Sequence, residues 1–307
     1  MKIFSIVVTY NGAKWIDICV GSLIKDGFSE VIVVDNNSED DTLVELNKKF
    51  PEVVVLRMNQ NVGFGRANNA GIQYALKHGA EGVFLLNQDA ETINGTIQNL
   101  AEFSFQHPEL GIVSPMHFNG SGYGLDYMFA QHLSRKANAK MMSDFFVQNI
   151  SKSYEVSYVN AAAWFISKKC LRTVGGFDPM FFMYGEDANY LQRLEYHGLK
   201  LTLLPAVQIR HHRSANSDKW NYEQFSDRYF QVLESSIKDD YGNILIDKSL
   251  IYLQFKALLK LMLKPGDGRL KEFILLRRWA KEIAKSRRGN KMGASYSFND
   301  HVSYNLS

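Results

Sequence analysis

With 307 residues, 46% hydrophobic and 22% charged, the chain has an ordinary globular composition and room for one large domain plus an appendage. Its formal charge of +3, from 35 Lys/Arg against 32 Asp/Glu, excludes the strongly basic footprint of a nucleic-acid binder, so no nucleic-acid partner is expected. Two cysteines, Cys19 and Cys170, supply neither a disulfide framework nor a zinc site, and fit buried thiols in a reducing compartment.

The apolar run 3–8 predicts a buried strand. It is too short for a signal peptide and runs into Thr9-Tyr10-Asn11-Gly12 without a cleavage site, so export by that route is not expected. No stretch approaches the roughly 20 apolar residues of a bilayer span. A helix carrying Trp15, Ile16, Cys19, Val20 and Leu23 follows, then a strand over 31–34, a helix through Leu43 and Leu46, and a strand over 53–56. A helix over 64–78 leads to a strand over 83–86, and a further helix to Ile112-Val113. Four successive β-then-α units predict an α/β fold with a mostly parallel sheet, in which ligands bind at the carboxyl ends of the strands. Residues 117–155 break the pattern and predict an insertion, with a flexible tract over 119–124 and the character of a lid. Regular structure resumes over 156–166, with helices over 168–174 and 185–197 and strands over 199–204 and 207–210.

The polar residues after each strand carry the chemistry. Asp35 ends the second strand before Asn36-Asn37-Ser38, where a carboxylate suits a uracil or thymine imide or a ribose; capping of the next helix, by Ser38 above all, is the structural alternative. After the third strand, Gly63-Phe64-Gly65-Arg66 is a glycine-permitted turn that would deliver Arg66 to a diphosphate, or leave it a surface cation. It is not a dinucleotide fingerprint, because Asn68 stands where the third glycine belongs and the fingerprint follows the first strand. Asn87-Gln88-Asp89 ends the fourth strand, where a carboxylate can hold Mg²⁺ or Mn²⁺ against phosphates; Asp89 and Thr92 would also serve as caps. Glu186-Asp187 opens a later helix as dipole partners or as a general base, and His211-His212 at a strand end offers a metal ligand or a surface pair.

Taken in order, Val7-Val8-Thr9-Tyr10-Asn11, Val33-Val34-Asp35-Asn36-Asn37-Ser38, Asn61-Val62-Gly63-Phe64-Gly65-Arg66-Ala67-Asn68-Asn69, Asn87-Gln88-Asp89, Gly175-Gly176-Phe177-Asp178 and Tyr184-Gly185-Glu186-Asp187 resemble the inverting family-2 glycosyltransferases of the GT-A fold, over roughly residues 1–217. The resemblance implies a Rossmann-like central sheet flanked by helices, with 1–220 as the catalytic domain. Within it, 1–115 would bind a nucleotide-sugar donor and 116–220 a saccharide acceptor. It implies donor contacts from Thr9, Tyr10, Asn11, Asp35, Asn37, Gly65, Arg66, Asn68, Asn87 and Gln88, with Arg66 near the phosphates. Asp89 would be the Mg²⁺ or Mn²⁺ ligand of a DXD-like element in which Asn87 replaces the first Asp, and His211 would complete the metal site. Asp187 would be the catalytic base, with Glu186 supporting it or the acceptor; Arg193 keeps a family position on that helix and Asn189 replaces a second Asp. Within the family the motifs resemble the bacterial surface-polysaccharide branch, O-antigen rhamnosyltransferases using dTDP-rhamnose included, with UDP-hexoses and UDP-N-acetylhexosamines open. A non-catalytic nucleotide- or carbohydrate-binding module is one rival. A metal-dependent sugar nucleotidyltransferase is another, but its glycine-rich, lysine-containing signature is missing after the first strand.

Residues 221–307 change to helices alone, amphipathic over 249–263 and 269–286. Between Asp247 and Lys291 thirteen Lys/Arg face four Asp/Glu. Two readings stand for this basic region: a membrane-surface element beside a lipid-linked acceptor, on the cytoplasmic face of the inner membrane, or a face packed on the catalytic domain or on a second copy in a homodimer. The last sixteen residues are polar and are expected to fray.

Overall fold

The apolar runs of the N-terminal half become β1 (Ile3–Thr9), β2 (Glu30–Asp35), β3 (Val54–Met58) and β4 (Gly82–Asn87) in a computed structural model. It describes residues 1–93, 95–133, 139–213, 255–256, 258–259, 261–263, 270, 273–274, 284–298 and 303–306. The four strands pair in parallel in the order β3-β2-β1-β4. They are joined by α1 (Ile16–Asp26), α2 (Thr42–Lys49) and α3 (Phe64–Lys77), and β4 leads through β5 (Ala90–Thr92) to α4 (Thr96–Gln106). Alternation along β1 sends Phe4 and Ile6 into one core with α3 residues Ala67, Ala70 and Ile72. Ile3 and Val7 enter the opposite core, with Ile16, Val20 and Leu23 of α1 and Ile97 and Leu100 of α4. Both faces of the sheet are thus covered, as continuous apolar strands require.

The second half departs from a parallel arrangement. β6 (Leu110–Asn119) and β8 (Ala163–Ser167) pair antiparallel, and β8 joins β4 antiparallel. The two strands predicted over 199–204 and 207–210 are one strand, β9 (Lys200–His211), parallel to β6 and bulged where Leu204 and Gln208 face Pro115 and Met116. The bulge lets one strand bend without ending. At its carboxyl end β9 pairs antiparallel with β5, Ala90 opposite His211, which places His211 beside the turn that carries Asp89.

The region predicted as a lid-like insertion is more regular than its polar sequence suggests. Residues 117–119 belong to β6, and the 119–124 tract is a tight reversal rather than a flexible loop. Gly122 N–H donates to Asn119 O at 2.8 Å, Asn119 N–H to Gly124 O at 2.8 Å, and Phe118 bridges Leu125. Helices α5 (Tyr127–Leu133) and α6 (Ala139–Phe146) and the short β7 (Tyr154–Glu155) follow, with Phe129, Leu133 and Met141 buried in the core. After β8 come α7 (Lys168–Thr173) and α8 (Glu186–Tyr196).

Of the last sixteen residues, 292–298 and 303–306 are described. β10 (Tyr304–Leu306) adds an antiparallel edge strand to β3, Tyr304 opposite Met58. Just before it, Ser297 Oγ accepts from Gly176 N–H at 2.8 Å and Ser286 Oγ donates to Asp178 Oδ2 at 2.5 Å, so residues 284–298 pack against the segment leading to α8. Phe255, Leu258, Leu259, Met262 and Leu263 are helical and mostly exposed; residues 214–254, 257, 260, 264–269, 271–272 and 275–283, which include most of the predicted basic helices, lie outside the described residues. Among the described residues no helix is long and apolar enough to cross a membrane.

Candidate active site

The loops at the carboxyl ends of β1, β2 and β4 are bound to one another. Thr9, the buried last residue of β1, donates from Oγ1 to Gln88 Oε1 at 2.8 Å, and Tyr10 N–H donates to the same oxygen at 3.0 Å. A Cβ at Gly12 would collide with this Gln88–Thr9 pair, so the close approach requires glycine. Asn11, at φ +48°, donates its N–H to Ser38 Oγ at 3.0 Å and accepts Glu39 N–H on its side chain at 2.9 Å. Ser38 is therefore occupied by the β1 loop and does not cap α2, contrary to the expectation for it. Asp35 is fully buried, and its two oxygens lie 3.2 and 3.3 Å from Ser38 N–H. Asn37 sits at φ +67°, a left-handed turn that asparagine tolerates.

The β3–α3 turn is clamped from two sides. Asn36 accepts Val62 N–H at 2.9 Å and donates to Asn61 Oδ1 at 2.9 Å. On the far side Phe64 N–H donates to Phe182 O at 3.0 Å, and Gly63, at φ +84°, lies so near this carbonyl that a side chain would overlap it. Gly65 sits against Phe177, and Arg66 Nε donates to Pro179 O at 2.9 Å, holding the loop that leads to α8. Asn68 is buried and donates to Phe64 O at 3.0 Å within α3. Asn69 grips Phe177 at both backbone groups, donating to its oxygen at 2.8 Å and accepting from its N–H at 2.7 Å.

Asp89 is no helix cap: α4 starts at Thr96, with Gly95 at its N-terminus. It lies in the turn between β4 and β5, where Asp89 Oδ1 is 3.1 Å from His211 Nε2, and His212 N–H donates to Asp89 O at 2.7 Å. His212 faces Glu91 instead, Nε2 to Oε1 3.1 Å. Burial alone would raise the Asp89 pKa, but the hydrogen bond and positive charge of His211, with Arg213 behind, hold it below the usual carboxylate range. Among the described residues no group of three or more His, Cys, Asp or Glu side chains forms a complete cation cage. The pair nevertheless fits a hard divalent ion that completes its shell from substrate. Asp89 Oδ1 and His211 Nε2 are a carboxylate oxygen and an imidazole nitrogen of the kinds such ions accept, and a cation there would displace the hydrogen bond that now joins them at 3.1 Å.

Asp187 stands in the first turn of α8, after the left-handed residues Tyr184 and Gly185. Its Oδ2 accepts from Tyr158 O–H at 2.8 Å and its Oδ1 from Ala188 N–H at 2.7 Å. Ala161 N–H also supports the carboxylate, and the next residue's carbonyl, Ala162 O, accepts from Asn87 N–H at 2.9 Å. Two adjacent residues thus bring Asp187 beside the carboxyl end of β4. Burial is the largest influence on Asp187 and raises its pKa, against the opposing pull of Tyr158. Glu186 is buried next to it, and Asn87 Oδ1 is a buried acceptor with no partner among the described residues. The two carboxylates are thus pushed in opposite directions, Asp89 down by His211 and Asp187 up by burial.

The chain has known relatives. The model of the family described as Glycosyl transferase family 2 matches residues 5–175. The chain belongs to that family. This glycosyltransferase is 24% identical over 237 residues to N-acetylglucosaminyl-diphospho-decaprenol L-rhamnosyltransferase of Mycobacterium tuberculosis, covering 70% of this chain and 77% of the relative. It is 24% identical over 214 residues to dTDP-rhamnosyl transferase RfbF of Shigella flexneri, covering 68% and 69%. The structure of GalNAc-T7 with UDP, GalNAc and Mn²⁺ superposes with a TM-score of 0.59 at 16% identity, over 98% of this chain; the chain spans only 56% of that one. Mannosyltransferase PcManGT of Pyrobaculum calidifontis, with GDP-Man and Mn²⁺, gives 0.54 at 16%, covering 94% and 73%. These neighbours establish the GT-A fold.

Within the glycosyltransferase, Thr9, Tyr10 and Gln88 meet directly, as do Asp89 and His211, and Asn87 links the β4 end to the Asp187 support. Asn68 and Arg66 Nε instead hold helix and loop. Tyr158 and Asp126 lie in none of the motifs, and Asn36 and Asn69 lie inside two of them without a role assigned there; the parts of all four emerge only from contacts across the fold. The Tyr158 bond gives a first prediction. Tyr158→Phe removes a bond to the ionised carboxylate, so the Asp187 pKa rises further and the acid limb of transfer against pH moves to higher pH; an unmoved limb separates Tyr158 from the base.

Proposed function

We propose that this glycosyltransferase moves a sugar, with inversion, from a nucleoside diphosphate sugar to a hydroxyl of a lipid-linked saccharide during bacterial surface-polysaccharide synthesis. The favoured donor is dTDP-rhamnose, with UDP-hexoses and UDP-N-acetylhexosamines as the alternatives. The observation that carries the proposal is the placement, about the end of β4, of Asp89 in contact with His211 and of the buried Asp187, whose pKa burial raises. The two rhamnosyltransferase relatives support the donor, and the decaprenol-linked substrate named for one of them supports the acceptor.

In this reading the Thr9–Gln88 and Asp35–Asn37 loops receive the nucleoside, and Arg66 lies toward the phosphates. Asp89 and His211 would hold Mg²⁺ or Mn²⁺, which when bound supplies positive charge against the departing diphosphate. Asp187 takes the proton of the acceptor hydroxyl as that oxygen attacks the anomeric carbon from the face opposite the leaving group. The raised pKa makes Asp187 a better proton acceptor than a solvated aspartate, and Tyr158 and Ala188 aim it. A single displacement needs no covalent intermediate on the protein. The exposed helical residues Leu258, Leu259, Met262 and Leu263, with basic neighbours, suit peripheral contact at the cytoplasmic membrane face.

The test is incubation with dTDP-rhamnose or each UDP-sugar, Mn²⁺ and a polyprenyl-diphosphate-linked N-acetylglucosamine, with the product linkage assigned by NMR. Transfer with inverted anomeric configuration is expected. Retention, or no transfer from any of these donors, contradicts the proposal.

A further inference from the structure

Asp126 does no work in the reading above, yet it is a carboxylate buried to 4% exposure. Its position is fixed from three directions. Its N–H donates to His117 O at 2.9 Å, closing the reversal that follows β6. Its Oδ1 accepts Phe129 N–H at 2.9 Å in the first turn of α5. The ring of Phe129 stacks on His117 at 4.5 Å, which leaves this corner no freedom to swing. The remaining oxygen, Oδ2, points at His211 Nδ1 from 3.6 Å. That nitrogen is fully buried, and no group among the described residues is within hydrogen-bonding distance of it. His211 is therefore flanked by two carboxylates, Asp89 on Nε2 at 3.1 Å and Asp126 on Nδ1 at 3.6 Å.

We propose that Asp126 is a positioning residue that fixes the tautomer and ring orientation of His211 for cation binding. The proposal rests on the reading of Asp89 and His211 as the cation site. A neutral imidazole carries one ring proton, and only the unprotonated nitrogen can ligate. Asp126 holds that proton on Nδ1, so that a cation can replace the proton Nε2 shares with Asp89 and take the Nε2 lone pair. A carboxylate behind a histidine ligand also raises the basicity of the ring. The backbone pairing of His211 with Ala90 and Asn119 fixes the strand that carries the ring between the two carboxylates. Asp126 does not touch substrate; it acts through His211.

The carboxylate has a second task as the α5 cap, so the test must separate charge from capping. Asp126→Asn keeps an oxygen for Phe129 N–H, and asparagine is as good a cap as aspartate. Calorimetric titration of Mn²⁺ into the full chain with UDP or dTDP present, alongside thermal unfolding without metal, reads both. The expected result is a 10- to 100-fold weaker Mn²⁺ affinity, the typical cost of losing a partner behind a ligand, with an unfolding temperature near wild type. Should Asp126→Asn fail to fold, Asp126→Ser, which also caps, carries the same titration. Wild-type uptake of Mn²⁺ with equal affinity in the variant overturns the positioning role alone. A wild type that takes up no Mn²⁺ overturns the cation reading, and the positioning role with it.

Discussion

Asp187→Asn is expected to lower kcat for sugar transfer by about 10²–10⁴-fold, the span that a positioned general base contributes, while donor affinity stays within a few-fold of wild type. The amide is nearly isosteric and keeps one of the two acceptors, for Tyr158 O–H or for Ala188 N–H, so thermal unfolding of the variant should accompany the kinetics. What disappears is the carboxylate that takes the acceptor proton. Because none of the residues proposed to bind the donor bonds Asp187 directly among the described residues, the loss should fall on kcat and not on donor KM. Steady-state kinetics with separate donor and acceptor variation read the division. Near-normal transfer would move the base to Glu186, the buried carboxylate next in line.

Asp89→Ala is expected to abolish the metal-dependent part of donor binding. Removing Oδ1 takes away one of two paired donors and leaves His211 Nε2 facing a void. Loss of a group merely behind a ligand already costs 10–100-fold in metal affinity, so loss of the ligand itself should weaken Mn²⁺ uptake by more than about 100-fold. The fold should survive, because Asp89 caps no helix and its carbonyl, which accepts from His212 N–H, is kept. Calorimetry of donor binding with and without Mn²⁺ checks it: the variant should bind alike in both, whereas the wild type should not.

The N-terminal half was legible because its strands are apolar on both faces and each is followed by polar residues and a helix. Parallel β-α units leave few alternatives once such runs alternate with helical periods. The strand ends thereby point to Thr9, Asp35 and Asn87 to Asp89 before any coordinates. The second half hides its order. β8 inserts between β4 and β6 although it lies far later in the chain, and the bulge in β9 looks like a chain break between Leu204 and Val207. Tyr304–Leu306 is too short and too polar to announce a strand, and only the open edge of β3 makes it one.

The site divides in the same manner. His211 and His212 are indistinguishable by type, and it is the β5–β9 register that turns one to Asp89 and the other to Glu91. Tyr158 and Asp126 each touch a partner 29 and 85 positions away, respectively, so no local pattern could single them out. Asn36 and Asn69 read as loop and helix residues, yet Asn36 ties the end of β2 to the β3–α3 turn and Asn69 ties α3 to the loop before α8. Local sequence reports the groups that chemistry demands at strand ends; the residues that aim them are set by tertiary contact.

The most direct measurement of the central claim is thermal unfolding of the wild type and Asp89→Ala across a panel of nucleotide sugars, each with and without Mn²⁺. A ligand that binds only the native state raises its stability by mass action, so a true donor identifies itself. The account predicts that dTDP-rhamnose or one of the UDP-sugars raises the wild-type unfolding temperature in Mn²⁺, far less without it, and equally little in Asp89→Ala under both conditions. A wild type that no nucleotide sugar stabilises, or one stabilised equally with and without the metal, would contradict it.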